Sequence, residues 1–361
     1  MISPEPLLYP PIPLNAGQIK GWREIPIRES ERSDPLVPLG PLSPEANALM
    51  ASSVYFGEHN NSPYASENNK LEGSLLTLFA CQSTAQRLLA AEQLLPDNHH
   101  LLILDAYRPY DVQHSLYDFY KQKLQEKHPN IDNGALEAET QKYVSLPSTD
   151  PRWPSPHSTG GVVDAVIVKL DKVHEEELLY IRSRLANNTL DFTARVGLEI
   201  RLSALMRHTK MLDFGTAFDH GGEKSALTYY ESKLAAGNTL TEADKRACDN
   251  RRLLFMIMTR AGFQAYSPEW WHFDAPESQW GAATAGLSYA SLDAAKLNKN
   301  NRAHENKRLK IYQEILKLQR KGDRAIAHTS LQAEILAAIR ETGDLNTAGD
   351  WLAEIIAPPE T

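Results

Sequence analysis

The chain has only two cysteines in 361 residues, Cys81 and Cys248. They are far apart and lack metal-type spacing, which excludes a disulfide-stapled scaffold and a cysteine-based zinc module. Cys81 falls with Leu78, Ala85 and Leu88 at helical spacing, so it is expected to pack in the core. Long hydrophobic runs are missing as well. No stretch is long enough to cross a bilayer, and the first thirty residues lack the apolar segment of roughly 7–15 residues that an export signal needs. The expectation is a cytoplasmic chain without membrane contact. Positive charge is in deficit: 38 Lys and Arg against 46 Asp and Glu give a formal charge of −8. Phosphate binding requires a clustered basic excess, so nucleic acid is excluded as a partner and a small substrate is expected. Neither an internal repeat nor a low-complexity tract is present.

What the chain does contain is 42% apolar residues, enough for a sizeable core in one large domain with an extension, or in two domains. Residues 1–70, rich in Pro, Asn and Ser, read as an irregular arm wrapping the body. Apolar periodicity predicts a helix from Ser74 to Leu95, with Ser74 as N-cap and Pro96 as stop. Leu101–Leu104 reads as a buried strand leading into Asp105-Ala-Tyr-Arg-Pro, and Pro109 opens the next helix. Val162–Val168 reads as a central strand. A charged helical stretch from Val173 to Arg207, with an Asn187-Asn188 break, precedes Met211–Asp219. A further helix starts at Thr241, capped with Asp244, and ends at Gly262; Phe263–Phe273 follows as a strand containing a proline. Strands and helices interleave irregularly, which predicts an α+β fold with a mainly antiparallel sheet. The boundaries expected are arm 1–70, body 71–286 and helical extension 287–361, the extension carrying Leu309, Tyr312, Ile315, Leu316, Leu331, Ile335 and Ile339 as a packing stripe or a homo-oligomer contact.

The chemistry concentrates in a few positions. Asp164 lies among Val162, Val163, Ala165 and Val166, where an unpaired carboxylate costs several kcal/mol to bury. It therefore needs a cation, basic side chain or metal. His157, seven residues earlier, can reach it only if Gly160-Gly161 bends the chain, because an odd separation puts side chains on opposite strand faces. Glu269 and His272 face the same problem, so Ser267-Pro268 must put Glu269 in a turn entering the strand. Two imidazoles and a carboxylate form a three-ligand zinc set, and a second carboxylate beside it can act as base. At such a site the water pKa falls to about 7, Glu269 would take its proton and return it to a leaving amine, and Arg108, oriented by Asp105, would stabilise the oxyanion by about 3–4 kcal/mol.

Asp105-Ala-Tyr-Arg-Pro109, Ser155-Pro-His-Ser-Thr-Gly-Gly-Val-Val-Asp164, Phe214-Gly-Thr-Ala-Phe-Asp219, Asn250-Arg-Arg-Leu253 and Gly262-Phe-Gln-Ala-Tyr-Ser-Pro-Glu-Trp-Trp-His272 occur in order. Together they resemble the zinc D-alanyl-D-alanine dipeptidases of the VanX type (peptidase family M15, subfamily D), over roughly residues 50 to 275. The resemblance implies one zinc ion per chain on His157, Asp164 and His272, Glu269 as base and Arg108 polarising the scissile carbonyl. It implies that Asp219 receives the ammonium of a small D-dipeptide and that Ser155 forms a polar wall of the same pocket. It also implies the α+β fold of D,D-carboxypeptidases and Hedgehog domains, with helices on one side of the sheet. The family's aromatic near the substrate amine has Tyr55 as its candidate counterpart. Alternatives are a D,D-carboxypeptidase or endopeptidase on longer muropeptides, and an inert metal-stabilised binding module. The chain departs from the family in carrying Val162 where Ala is frequent, in a longer stretch between Asp164 and Asp219, and in the residues after about 287.

Overall fold

The computed structural model describes residues 7–18, 27–28, 34–40, 43, 45–57, 62, 64, 71–142, 144–150, 154–185, 190, 194, 197–199, 201–202, 205–206, 209–278, 281, 289–290 and 297–320. The chain divides into two compact units, Met1–Lys169 with Met211–Asn298, and Leu170–Lys210 with Lys299–Thr361.

The strands in chain order are β1 (Ile27–Arg28), β2 (Leu36–Pro38), β3 (Met50–Ala51), β4 (Phe79–Cys81), β5 (His99–Asp105), β6 (Val162–Lys169), β7 (Lys210–Met211), β8 (Gln264–Tyr266), β9 (Glu269–Asp274) and β10 (Tyr289–Ala290). The first unit is organised on a sheet in the order β3-β5-β6-β9-β8. Its pairs β5–β6, β6–β9 and β8–β9 are antiparallel, while β3 joins β5 in parallel. The architecture is thus mixed α+β with a mostly antiparallel sheet. β6 is buried along seven of its eight residues, as its run of Val, Ile and Ala requires of a strand covered on both faces.

The helices are α1 (Gln82–Glu92), α2 (Tyr110–Lys127), α3 (Asn133–Thr140), α4 (Lys172–Leu185), α5 (Tyr229–Ala235), α6 (Glu242–Arg260) and α7 (Lys299–Arg320). α6 begins where its sequence signal places it: the Thr241 hydroxyl accepts from Asp244 N at 3.1 Å and donates to the Asp244 carboxylate at 2.8 Å. It ends before Gly262, at φ +90°. Ala247, Leu254, Ile257 and Met258 form its inward stripe.

Three expectations are revised. The helix expected from Ser74 starts only at Gln82, because Phe79–Cys81 pairs antiparallel with Leu36–Pro38. Leu78, Cys81, Ala85 and Leu88 are all buried, so burial was legible there while the element type was not. The strand expected over Phe263–Phe273 is a hairpin, with Ser267-Pro268 as the turn between β8 and β9. The N-terminal region read as irregular contributes β2 and β3, each paired with a strand far along the chain.

In the second unit Leu178, Ile181, Leu205 and Ile311 are buried. Arg201 forms an ion pair with Glu177 at 2.5 Å, and Arg308 approaches Glu199 at 3.5 Å. Asn187, Asn188, Leu331, Ile335 and Ile339 lie outside the described residues. Among the described residues no helix is long and apolar enough to cross a membrane.

Candidate active site

The strand register sets three acidic or imidazole side chains in one row. Asp105 of β5 stands opposite Asp164 of β6, which stands opposite His272 of β9. A bulge is needed for the first of these pairings. Ile103 pairs with Ala165, and in a regular ladder Asp105, two residues on, would share that face; the register shift between Ile103 and Asp105 turns it to the face of Asp164. On β9, a shift between Ala265 and Tyr266 sets Ala265 opposite Phe273 and Tyr266 opposite Glu269. That irregularity lets Glu269 and His272, three residues apart, approach each other at 3.6 Å. Glu269 is the first residue of the strand after the Ser267-Pro268 turn.

His157 does not sit on a strand. It occupies a 3-10 turn, Pro156–Thr159, closed by Gly160 at φ +70°. A side chain at Gly160 would meet Leu36 Cδ2 at 2.6 Å, and one at Gly161 would meet the Glu277 and Ser278 backbone at 2.5 Å. The glycine pair therefore permits both the bend and close packing beneath it.

His157, Asp164 and His272 are buried, and one ligand atom of each lies within 4.8 Å of the others. Asp164 Oδ1 lies 3.5 Å from His157 Nε2 and 3.1 Å from His272 Nδ1. It is a buried oxygen with no aligned hydrogen bond to either ring. That orphaned acceptor between two imidazole nitrogens fits a bound cation, since such a group is otherwise costly to bury. The outer nitrogens are also occupied. His157 Nδ1 is 2.9 Å from the Ala106 carbonyl and 3.0 Å from Asp105 Oδ2, and His272 Nε2 is 3.3 Å from Asp274 Oδ2. Asp274 in turn accepts from the Ser278 hydroxyl at 2.6 Å. Carboxylates and carbonyls in this second layer fix ring orientation at metal centres. Burial, followed by the nearby Arg108 and His272, holds the His157 pKa well below the usual imidazole value, so its ring is neutral. For His272 burial acts downward too, but Asp164 and Asp274 outweigh it and raise the pKa.

Arg108 is buried in the loop between β5 and α2. It gives Nε and Nη2 to Asp105 at 3.0 and 2.5 Å, Nη2 also to the Tyr55 hydroxyl at 3.0 Å, and Nη1 to Gln113 at 2.8 Å. A guanidinium has five N–H donors, so one on Nη1 is left over among these bonds. Arg108 lines the same chamber as His157, Asp164, His272 and Glu269, with a volume of about 270 Å³. Burial pushes the Glu269 pKa up to about 7, opposed by His272 and reinforced by Asp164 and Asp219. Its side chain keeps 27% of its surface open, so water in the chamber screens part of that effect.

Asp219 lines the chamber from the loop between Asp213 and Leu227, in a left-handed conformation at φ +59°. It accepts from the Tyr64 hydroxyl at 3.3 Å. Its pKa is raised to about 6, by desolvation first and then by Asp164, against Arg108. The residue is itself solvent-exposed, which moderates the shift. The loop is closed by the Asn250-Arg251 pair of α6. Asn250 donates to Asp213 O at 2.7 Å, and Arg251 donates to the carbonyls of Phe214, Ala226 and Lys224, each at 2.8 Å. Trp270 stacks on Phe214 at 4.2 Å and donates to Thr216.

Ser155 is placed differently from its expected role. Its hydroxyl donates to Leu146 O at 2.9 Å, and it is not among the residues lining the chamber, so it braces the 144–150 loop instead of forming a polar wall. Tyr55 meets Arg108, while Tyr64 is the aromatic beside the Asp219 carboxylate. Tyr64, Gln113 and Asp274 were not read from sequence. Tyr64 sits in an unpatterned polar stretch, but Asp274 had a signal: two residues beyond His272 on a strand is the same face.

A buried His-Asp-His set with a carboxylate and a guanidinium on one chamber is the donor arrangement of a metallopeptidase-type centre. The profile of the peptidase M15 family described as D-ala-D-ala dipeptidase matches residues 171–290, which include Asp219, Glu269 and His272. The chain is 23% identical over 188 residues to a D-alanyl-D-alanine dipeptidase of Synechocystis sp., covering 50% of this chain and 61% of that protein. It is 37% identical over 82 residues to one of Escherichia coli K12, covering 23% of this chain and 37% of that protein. A third, from Enterococcus faecium, is 26% identical over 195 residues, covering 52% of this chain and 69% of that protein. The chain is thus similar to a family of peptidases, the one its motifs resemble, and it spans about three-fifths of the Synechocystis relative and less of the one from Escherichia coli.

Proposed function

We propose that this chain is a zinc dipeptidase that hydrolyses D-alanyl-D-alanine, or a similar short D-dipeptide with a free amine, on the sheet fold of the D,D-peptidases and Hedgehog domains. The observation that carries the reading is the shared chamber: two imidazoles around an unsatisfied carboxylate oxygen, with Glu269, Arg108 and Asp219 on the same walls. His157 Nε2, Asp164 and His272 Nδ1 would hold the ion, which when bound supplies a Lewis acid for the peptide carbonyl and for water.

The chain's own residues divide the remaining work. Glu269, with its pKa near 7, takes a proton from the attacking water as the oxygen bonds to the carbonyl carbon, then gives it to the nitrogen as the C–N bond breaks. Arg108 is held rigid by Asp105, Tyr55 and Gln113 and has one N–H over for the oxygen that becomes negative. Asp219 receives the ammonium, and Tyr64 sets the orientation of its carboxylate. An anionic end that reads a charged amine disfavours acylated substrates.

The test combines zinc content with a panel of D,D-, L,D- and D,L-dipeptides, with and without N-acetylation. Release of D-alanine from unblocked D-Ala-D-Ala is expected; cleavage of the blocked peptide at an equal rate would overturn the amine pocket. Glu269→Ala should lower kcat by about 10²–10⁴-fold while zinc stays bound. Zinc loss in that variant would contradict its role as base.

A further inference from the structure

Residues 7–18, far from the chamber in sequence, run along α6 and end on the turn that carries Glu269. Leu8 N and Tyr9 N both donate to Asp249 Oδ1, at 2.9 and 3.4 Å, and Arg252 Nη1 donates to Tyr9 O at 3.0 Å. Ile12 is buried, and its N–H donates to Glu231 Oε1 at 3.3 Å, an acid already paired with Arg252. A turn from Pro13 to Gln18 then brings Gly17 against the β8–β9 hairpin. There Ser267 N donates to Gly17 O at 3.2 Å. From the other side, Leu227 N donates to Ser267 O at 2.9 Å.

Both backbone polar groups of Ser267 are thus bonded from outside the hairpin. Gly17 has φ +68°, and a Cβ there would lie 2.6 Å from Ser267 N and 2.8 Å from Ala265 O. The contact is backbone against backbone, with no room for a side chain. Pro268 and Glu269 follow directly and line the chamber.

We infer that segment 7–18 is a positioning strap for Glu269: Gly17 clamps the Ser267-Pro268 turn, and the anchors at Asp249, Glu231 and Arg252 keep the strap taut. The inference rests on Glu269 being the base. A general base must be within hydrogen-bond reach of its proton, and a misplacement of about 1 Å can cost about 100-fold in rate. The strap has no part in the ligand set, so it acts on turnover and not on metal or substrate affinity.

The experiment uses full-length protein with Gly17→Ala, and with Asp249→Ala as a second variant that loosens the strap far from the hairpin. For Gly17→Ala the expected result is a fall in kcat of about 10–100-fold, at unchanged KM and zinc content, with faster amide exchange at Ser267 and unchanged exchange at Ile257 in α6. Asp249→Ala should move the same quantities in the same direction by less, and it carries the test if Gly17→Ala does not fold. Faster exchange at Ser267 with unaltered kcat would overturn the inference, as would a loss of activity that tracks loss of zinc or of folded protein. A wild-type protein that leaves D-Ala-D-Ala intact would defeat the dipeptidase reading instead, and Ser267 exchange would still report whether the strap holds the turn.

Discussion

The two ends of the chamber are built by different means. At the end proposed to hold the metal, Asp105, Asp164 and His272 hang from three adjacent strands, and backbone register sets their spacing. At the end proposed to receive the amine, Asp219 rides on a loop, and its position is set by side chains: Tyr64 on the carboxylate, Asn250 and Arg251 on the loop's carbonyls. A ladder distributes its stability over many hydrogen bonds, so one substitution leaves its geometry standing. A loop depends on a few contacts and is easier to displace. The metal end should therefore respond to mutation by losing a ligand, and the amine end by losing alignment.

The largest effect is expected where that contrast is sharpest. Asp164→Ala removes the carboxylate between the two imidazoles and should abolish both zinc retention and turnover, with the fold preserved by the β5–β6–β9 ladder. Metal analysis and circular dichroism on the same sample check this; bound zinc at wild-type stoichiometry would remove the ligand assignment. Next in size is Asp219→Asn, which keeps shape and removes charge. A charge-assisted hydrogen bond is worth about 1.5–3 kcal/mol, so KM for the free dipeptide should rise roughly 10–100-fold, with zinc unaltered and the preference over the N-acetyl peptide narrowed. An unchanged preference would place amine recognition elsewhere.

Arg251→Lys is the gentlest probe of the comparison. Arg251 is 1% exposed and bonds three backbone carbonyls, and a lysine keeps the charge but not the planar fork that reaches all three. The expected outcome is a several-fold rise in KM with kcat and zinc nearly constant. A fall in kcat at constant KM would show that the clamp acts mainly through Leu227 on the Ser267 turn, and so on Glu269.

Much of the chain's organisation was readable residue by residue. The Thr241-Asp244 cap and Gly262 bounded α6, and the Val-rich run of β6 announced a buried strand. A helical spacing around Cys81 misled, because Phe79–Cys81 finds a strand partner more than forty residues upstream, at Leu36–Pro38, that no local window contains. The hydroxyl of Ser155, within the Ser155–Asp164 motif, donates to Leu146 O, a contact that the motif itself does not announce.

By itself the sequence determined which groups could do chemistry. A carboxylate in an apolar run, histidines beside a glycine pair and beside tryptophans, and an arginine next to an aspartate carry their cost of burial and their reactivity in their own covalent structure. Only the tertiary structure decided that they meet. A bulge in β5 turns Asp105 to the site face, an irregular β8–β9 register turns Glu269 toward His272, and Gly17 reaches Ser267 from the far end of the chain. These are consequences of register and of long-range backbone pairing, and no short window of sequence contains them, because each is settled by a partner strand or loop that arrives from elsewhere.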